Sequence, residues 1–176
     1  MFRALIAGVL FCPLMAPVAV AQWMTGEDEN AFEKTKSRWV FSVSDGGNVL
    51  GFRCNGPDVD EASMIFVTTE RLSPSDAKTM NILKPTLAII VDDGERVDLQ
   101  AAVDTVEIGG GDRLRIVATG EQAQQIAEKI AAAKRRVSAA IVLGRKTFHP
   151  TNIGARGSRG PIELAFKACG LIRKAS

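Results

Sequence analysis

Apolar and polar residues alternate with a period of two through much of the middle of the chain, and glycine- and aspartate-rich turns separate the alternating stretches. Such alternation is typical of strands that bury one face, and such turns join antiparallel neighbours. The sequence therefore predicts hairpins about residues 45–48, 92–95 and 109–112, with a further strand over residues 64–69. The middle of the chain is expected to be an antiparallel meander.

Apolar residues recur at helical spacing in two later segments. A helix is predicted from Thr119, because Gln122 follows at the spacing of a capping box, and its apolar face is expected to extend to Val137. A closing helix is predicted from Pro161 with Gly170 just past its end. The predicted fold is therefore an α+β domain: an antiparallel β-meander or a small barrel-like sheet with two principal helices packed on it.

Three weaker patterns complete the predicted elements. In residues 26–36 acidic residues come before basic ones, as a helix dipole favours, so a short N-terminal helix is predicted. Residues 73–76 suit a brief helical turn, because serine can cap it and proline fits its first position. Residues 139–143 are expected to form a last strand, and residues 144–160, rich in glycine and arginine, a loop.

The first 21 residues carry the pattern of a secretory signal, in which a positive charge precedes an apolar stretch and a small-x-small cleavage motif. We expect cleavage after Ala21, which leaves residues 22–176 as a single α+β domain in the periplasm or outside the cell. A membrane anchor is the alternative. Pro13 and Pro17 interrupt the apolar stretch of that anchor, which counts against a membrane-spanning helix. No stable membrane span is expected after the signal is cleaved.

Cys54 and Cys169 are the only cysteines left after cleavage, because Cys12 lies within the signal. A cysteine pair in an exported chain favours a disulfide. Cys169 shares the apolar stripe of the closing helix with Ile162 and Phe166, so the bridge requires that helix to pack on the sheet. The alternative, a redox-active thiol, would be expected with a CxxC motif or a neighbouring base, and the sequence has neither.

The core is expected to come mostly from valine, isoleucine, leucine and alanine, because aromatic residues make up only 6% of the chain and tyrosine is absent. The 155 residues that remain after cleavage are enough for one such core. The larger residues assigned to it are Trp39, Phe41, Phe52, Phe66, Phe148 and Phe166.

Charge is divided along the chain, although the formal net charge is only +2. From Lys134 onward ten basic residues stand against one acidic residue, whereas the rest of the exported chain has 11 basic and 19 acidic residues. Arginines before the closing helix and the free amides at its start are predicted to form an anion-binding corner. The residues assigned to this anion-binding hypothesis are Arg145, Lys146, Arg156 and Arg159.

The partner of that corner would be an anionic component of the envelope or another protein. The alternative is that the basic segment folds against the acidic part of the chain and is neutralised by it. Nucleic acid is not an expected partner, because the basic residues are not interleaved with aromatic ones and the chain carries an export signal.

Known catalytic and cofactor motifs are absent from the sequence, and no catalytic residue, cofactor or metal site is predicted. The single histidine, His149, is assigned to a loop, and the acidic residues about 92–95 to a solvated hairpin tip rather than a calcium site. The leading hypothesis is a non-enzymatic periplasmic or secreted binding module. The alternatives are an envelope hydrolase that uses distant residues such as Asp92, Asp93 and Ser158, and a structural role through an open sheet edge.

The order of several elements supports a resemblance. Trp39 opens the first predicted hairpin, Cys54 ends it, the meander contains Ile-Val-Asp-Asp-Gly at residues 90–94, and a Gly-Ser-x-Gly loop at residues 157–160 precedes the last helix. In this order the chain resembles the small exported proteins of the invasion-associated locus B type, although it lacks their additional cysteine pair. The resemblance implies an envelope-associated, β-rich module without known catalysis and supplies no site residues.

Overall fold

The computed structural model describes residues 22–30, 35–55 and 62–171, and the predicted signal sequence lies outside them. The described residues form an α+β fold with ten strands and three helices. The strands are β1 (Met24–Asn30), β2 (Thr35–Val43), β3 (Val49–Asn55), β4 (Ser63–Arg71), β5 (Thr86–Val91), β6 (Arg96–Gln100), β7 (Ala102–Glu107), β8 (Asp112–Thr119), β9 (Arg136–Leu143) and β10 (Lys146–Gly154). The helices are α1 (Pro74–Ile82), α2 (Glu121–Ala132) and α3 (Arg159–Ala168).

The strands form two antiparallel sheets rather than one. The first sheet has the order β1-β2-β3-β4-β8-β7, and the second has the order β10-β9-β5-β6. All three predicted hairpins are confirmed as β2–β3, β5–β6 and β7–β8. The sheets do not close into a barrel, and the meander is only partly confirmed, because β5 and β6 belong to the second sheet. A single residue, Ala101, carries the chain from β6 to β7 and so from one sheet to the other.

One face of the six-stranded sheet, here called the inner face, forms the floor of the hydrophobic core. Val40, Phe52, Met64 and Ala118 are cross-strand neighbours in one row of this face, and all four are buried. Helices α2 and α3 and the inner side of the second sheet complete the same buried cluster. Phe166 of α3 meets Phe52 edge-on, with 5.2 Å between ring centroids.

Helix α2 begins later than its sequence pattern predicts. Thr119 is the last residue of β8, where it pairs with Ser63, and it lies one residue before the N-cap position of the helix. Gly120, with a φ of 94°, occupies the N-cap position, and because it has no side chain it makes no capping hydrogen bond. The predicted capping box is therefore wrong, and Val137 lies in β9 rather than on this helix.

The predicted N-terminal helix over residues 26–36 is also wrong in its described part. Residues up to Asn30 form the edge strand β1, which pairs with β2, while residues 31–34 lie outside the described residues. Glu27 forms an ion pair with Arg38 across the two strands at 2.7 Å. Pairing with a neighbouring strand outweighs the weak helical preference that the order of charges implies.

The segment 144–160 is not a single loop, because it contains β10. This strand pairs with β9 along its length, except for a bulge between Phe148 and Thr151 that holds Pro150. Proline cannot donate to a strand ladder, and it is tolerated here because β10 is an edge strand and the bulge removes it from the pairing. The glycine- and arginine-rich composition concealed a strand that pairs with β9.

Helix α3 packs on the six-stranded sheet as the cysteine pattern predicts, and the Cys54–Cys169 disulfide is confirmed. The two Cα atoms are 6.2 Å apart, and both residues are buried. The helix ends in a Schellman motif at Gly170, whose φ is 70°: its N–H donates to the Lys167 carbonyl, and the next N–H donates to the Phe166 carbonyl. The disulfide therefore fixes the C-terminal end of α3 to β3.

Helix α1 protects one edge of the six-stranded sheet. It starts at Ser73, whose side chain caps the Asp76 amide, as the sequence predicts. The Asn81 side-chain amide donates to the Val103 carbonyl and accepts from the Val103 N–H, each at 2.7 Å. This pair of bonds occupies the outward-facing groups of β7 as a further strand would, and so blocks strand addition at that residue.

Two buried serines are expected to respond oppositely to alanine substitution. Ser158 is 1% exposed and donates to the Ile130 carbonyl at 2.8 Å, so Ser158→Ala is expected to lower the free energy of unfolding by about 1 kcal/mol. Ser42 is 0% exposed, and its hydroxyl has no hydrogen-bond partner in the described structure. Ser42→Ala is therefore expected to leave stability unchanged or raise it by up to about 1 kcal/mol. Urea unfolding of both variants would measure this contrast, and equal losses would contradict it.

Candidate functional site

The four basic residues of the anion-binding hypothesis lie at two separate places. Arg145 lies in the β9–β10 turn and Lys146 begins β10, whereas Arg156 follows β10 and Arg159 begins α3. Nine residues of extended strand put the two pairs roughly 25 Å apart. The structure therefore does not unite the four side chains in one site, and anion binding by either pair stays a prediction.

The second pair lies in a corner where the β5–β6 turn, the α2–β9 junction and the β10–α3 loop meet. Arg135 and Arg136 both pair with the Asp93 carboxylate. Arg159 pairs with Glu163 one turn further along α3, at 2.9 Å. Asp93 belongs to the acidic part of the chain, so its contacts with Arg135 and Arg136 are the arrangement that the neutralisation alternative predicts, whereas Glu163 lies within the basic segment itself.

Asp92 holds this corner together through the backbone. Its carboxylate accepts from the N–H groups of Lys134, Arg135 and Arg136 at 3.0, 2.8 and 3.1 Å. These hydrogen bonds, with that from Lys134 the strongest influence, hold the pKa of Asp92 below its usual value. Asp92 also has a positive φ of 48°, which aspartate tolerates better than most residues. The carboxylate thus serves as an anchor for the start of β9.

The lowered pKa of Asp92 predicts a loss of stability in acid. The pKa of Asp92 is lower in the folded protein than in the unfolded chain, where it is about 3.9. The ionised carboxylate therefore stabilises the fold fully above the unfolded pKa, and this stabilisation is lost as the pH falls through the folded pKa. Asp92→Asn is expected to be less stable than wild type at pH 7, with a difference that shrinks below about pH 4. Urea midpoints from pH 7 to pH 2 would test this, with Asp98→Asn as the control; a gap that stays constant to pH 2 would contradict it.

The three groups of the hydrolase alternative are each engaged in structural contacts. Asp92 binds backbone amides, Asp93 binds two arginines, and the Ser158 hydroxyl is buried against the Ile130 carbonyl. Within the ranges that the structure describes, no group of three or more His, Cys, Asp or Glu side chains could hold a metal ion. The described contacts therefore give these residues an architectural role.

His149 lies in the bulge of β10 rather than in a loop. Its φ is 52°, and its Nε2 atom contacts the Glu70 carboxylate at the end of β4. Nearby, the Asn48 amide donates to the Thr151 hydroxyl at 2.7 Å. These two contacts connect the bulge to the first sheet, so they explain the histidine without a catalytic role.

The concave regions among the described residues include a groove and a smaller hollow. A groove of about 430 Å³ lies between α2 and the β5–β6 hairpin, with the buried residues Ile89 and Ile126 in its floor and Lys129 and Glu95 at its rim. A smaller hollow of about 190 Å³ lies on the outer side of the second sheet, beside Pro150. The structure places none of the four predicted anion-binding residues in either region.

The outer face of the six-stranded sheet, opposite the inner face, carries a continuous apolar row. One residue from each of the six strands contributes to it, and none of them is polar. Helices α2 and α3 pack on the inner face. The side chains of the outer row are exposed or half-buried, and its one glycine is buried. In strand order, the row consists of Met24, Phe41, Gly51, Ile65, Val117 and Ala102.

Two aromatic rings form a platform at one end of this face. The Trp39 indole lies across Gly26 of β1, where a Cβ atom would stand 1.7 Å from the ring. The indole N–H donates to the Asp28 carboxylate at 3.2 Å, and the Phe41 ring lies beside it with 5.0 Å between centroids. We call Trp39 and Phe41 the aromatic platform. Glycine at position 26 is required by this close approach of the ring.

The sequence assigned Trp39, Phe41 and Phe148 to the core, and this assignment is wrong. Trp39 and Phe41 lie on the outer face, and Phe148 is 38% exposed in β10. Residues on both faces of β2 are apolar, so alternation alone does not tell which face is buried. A usable signal was the pairing of glycines with aromatic residues on neighbouring strands, since aromatic rings commonly cover strand glycines.

Among the described residues, no helix is long and apolar enough to cross a membrane. Comparisons with models of known protein families, with curated proteins and with solved structures found no match to this chain.

Proposed function

We propose that this chain is a non-enzymatic, exported binding module of the bacterial envelope, and that it binds its partner through the outer face of the six-stranded sheet. The apolar row across this face is the observation that carries the proposal. A sheet normally covers one face with core and presents polar side chains on the other. An unbroken apolar row on the solvent side favours a contact surface.

The contacts that surround the outer face support a rigid surface. The disulfide and α3 hold the opposite side of β3, and the ion pair between Arg115 and Asp104 joins β8 to β7 beside the apolar row. A preorganised surface loses little conformational entropy on binding. The basic pair Arg156 and Arg159 lies at another part of the molecule, and its role in contacting an anionic partner remains a secondary part of the proposal.

The sequence supports the envelope location. The first 21 residues have the composition of an export signal, and the cysteine pair suits an oxidising compartment. The resemblance to the invasion-associated locus B type points the same way. Intact mass of protein recovered from the periplasm tests export: a mass for residues 22–176 less two hydrogens is expected, and an uncleaved chain would count against it.

The binding face is tested by sedimentation with washed bacterial envelopes. Protein recovered after export is expected to sediment in a saturable manner, and Ile65→Lys is expected to reduce the sedimented fraction about tenfold, because it introduces a charge into the apolar row. The matched control is Ile90→Lys, which places the same charge on the outer side of the second sheet.

Two outcomes would overturn the proposal. Sedimentation that is absent for wild type excludes an envelope partner under these conditions, and equal loss in Ile65→Lys and Ile90→Lys excludes a specific role for the six-stranded face. A second variant, Val117→Thr, keeps the shape of its side chain while adding a hydroxyl. It is expected to fold even where a lysine disrupts the sheet.

A further inference from the structure

The aromatic platform has the geometry of a stacking site. One face of the Trp39 indole rests on the backbone at Gly26, so its opposite face points away from the sheet. The hydrogen bond to Asp28 and the contact with Phe41 fix the orientation of the ring. A ligand that stacks here meets a flat apolar surface whose side-chain entropy has already been lost.

The residues around the indole are polar, in contrast to the apolar row beside it. Arg53 is the direct cross-strand neighbour of Trp39, and it donates to the Ser37 hydroxyl at 3.3 Å. The Asp28 carboxylate lies at the indole nitrogen, and only one of its acceptor sites is used by that bond. A flat apolar ring is therefore bordered by a carboxylate and a guanidinium, whereas the Ser37 hydroxyl is buried.

This combination matches the chemistry of a sugar ring. A pyranose has a flat face of C–H groups that packs on an aromatic ring, and its hydroxyls project sideways towards planar polar groups. A nucleotide base would also stack, but Asp28 offsets the charge of Arg53, so this pair provides no net positive charge to hold the phosphates. A lipid surface would favour a wider apolar patch rimmed by basic residues.

We propose that the aromatic platform is a binding site for a neutral saccharide, with the Trp39 ring as the stacking surface and Asp28 as an acceptor for sugar hydroxyls. This inference rests on the proposed function, because it names the chemistry of the partner at one end of the same sheet face. Asp28 offsets the charge of Arg53 beside the ring, so the site attracts neither sign of ligand and suits an uncharged sugar.

Titration of the exported protein with oligosaccharides tests the site. The probes are neutral tetrasaccharides of glucose, mannose, galactose and N-acetylglucosamine, with oligogalacturonate as the acidic comparison. Tryptophan fluorescence reports on Trp39, because the second tryptophan in the described residues, Trp23, is buried and bonded to the Gly154 carbonyl. A saturable change with at least one neutral sugar and none with oligogalacturonate is expected.

Three variants and one control separate binding from a purely structural role, with calorimetry as the readout. Trp39→Ala is expected to weaken affinity at least tenfold. Gly26→Ala keeps the indole in the chain but forces it off β1, and is expected to weaken affinity comparably. Asp28→Asn keeps the shape and removes the charge, and is expected to admit oligogalacturonate. Phe148→Ala removes a similar exposed ring from the second sheet and is expected to bind as wild type.

Two results would overturn the inference: no binding of any neutral saccharide, or unchanged affinity in Trp39→Ala. The saccharides are tested up to 10 mM, a concentration on the order of the dissociation constants of the weakest specific complexes. Should Trp39→Ala fail to fold, Trp39→Phe and Asp28→Asn still decide it, since unchanged affinity and selectivity in both would exclude the site. Envelope binding that requires Ile65 but is neither displaced by saccharides nor weakened in Asp28→Asn would remove the saccharide inference and leave the proposed function standing.

Discussion

Replacing both Cys54 and Cys169 by alanine is expected to lower the free energy of unfolding by about 4–5 kcal/mol. The disulfide closes a loop of 115 residues. In the chain-entropy model, a link across such a loop lowers the entropy of the unfolded chain and thereby stabilises the folded state by about 4–5 kcal/mol. Urea unfolding of the oxidised protein and the double variant measures the difference. The free energy of unfolding of the variant is also expected to fall more steeply with urea concentration, because its unfolded chain is more expanded and exposes more surface.

Reduced wild-type protein is the control for this loss. It keeps both sulfur atoms, which are buried in the core, and removes only the covalent link. If restriction of the unfolded chain is the main effect, the reduced protein and the double variant are expected to agree within about 1 kcal/mol, the difference being the cost of truncating two buried side chains. A reduced protein as stable as the oxidised one would show that the link contributes nothing.

Local signals in the sequence were sufficient for the hairpins, the closing helix and the disulfide. The hairpins follow from turn residues between alternating segments, and the closing helix from a glycine just past its end, although it begins at Arg159 rather than at the predicted Pro161. The disulfide follows because the exported chain has only two cysteines. The elements that were predicted wrongly depend on residues far away in the sequence. β1 exists because β2 pairs with it, and β10 exists because β9 does. The division into two sheets likewise depends on pairings between segments far apart in the chain.

The candidate site was not accessible to the same reasoning. The four basic residues are close in sequence, but an extended strand separates Lys146 from Arg156. Residues that were assigned to one site therefore lie at two places in the structure. The aromatic platform requires Trp39 to meet Gly26 on a neighbouring strand. That contact depends on strand register, which alternation of apolar residues does not determine when both faces are apolar.

Truncating Phe166 to alanine is expected to cost about 3–5 kcal/mol of stability, the range for a buried phenylalanine. The side chain is 4% exposed and packs edge-on against Phe52, so its removal leaves a cavity between α3 and β3. Leu164→Ala is the matched control: it lies on the same helix but is 59% exposed, and its cost is expected to stay within about 0.5 kcal/mol. Similar costs for the two variants would mean that α3 does not dock through its Phe166 face.

Phe166 and the disulfide hold the same helix, so their combined loss is expected to be decisive. The separate costs amount to roughly 7–10 kcal/mol, and a domain of this size has a total stability of about 5–15 kcal/mol. Oxidised Phe166→Ala is expected to unfold cooperatively in urea, whereas the reduced variant is expected to show little or no folded baseline. A cooperative transition in the reduced variant would show that α3 and its bridge are dispensable. Its absence would mean that the disulfide supplies the stability that keeps α3 docked once Phe166 is truncated, which is a role that suits a protein of an oxidising compartment.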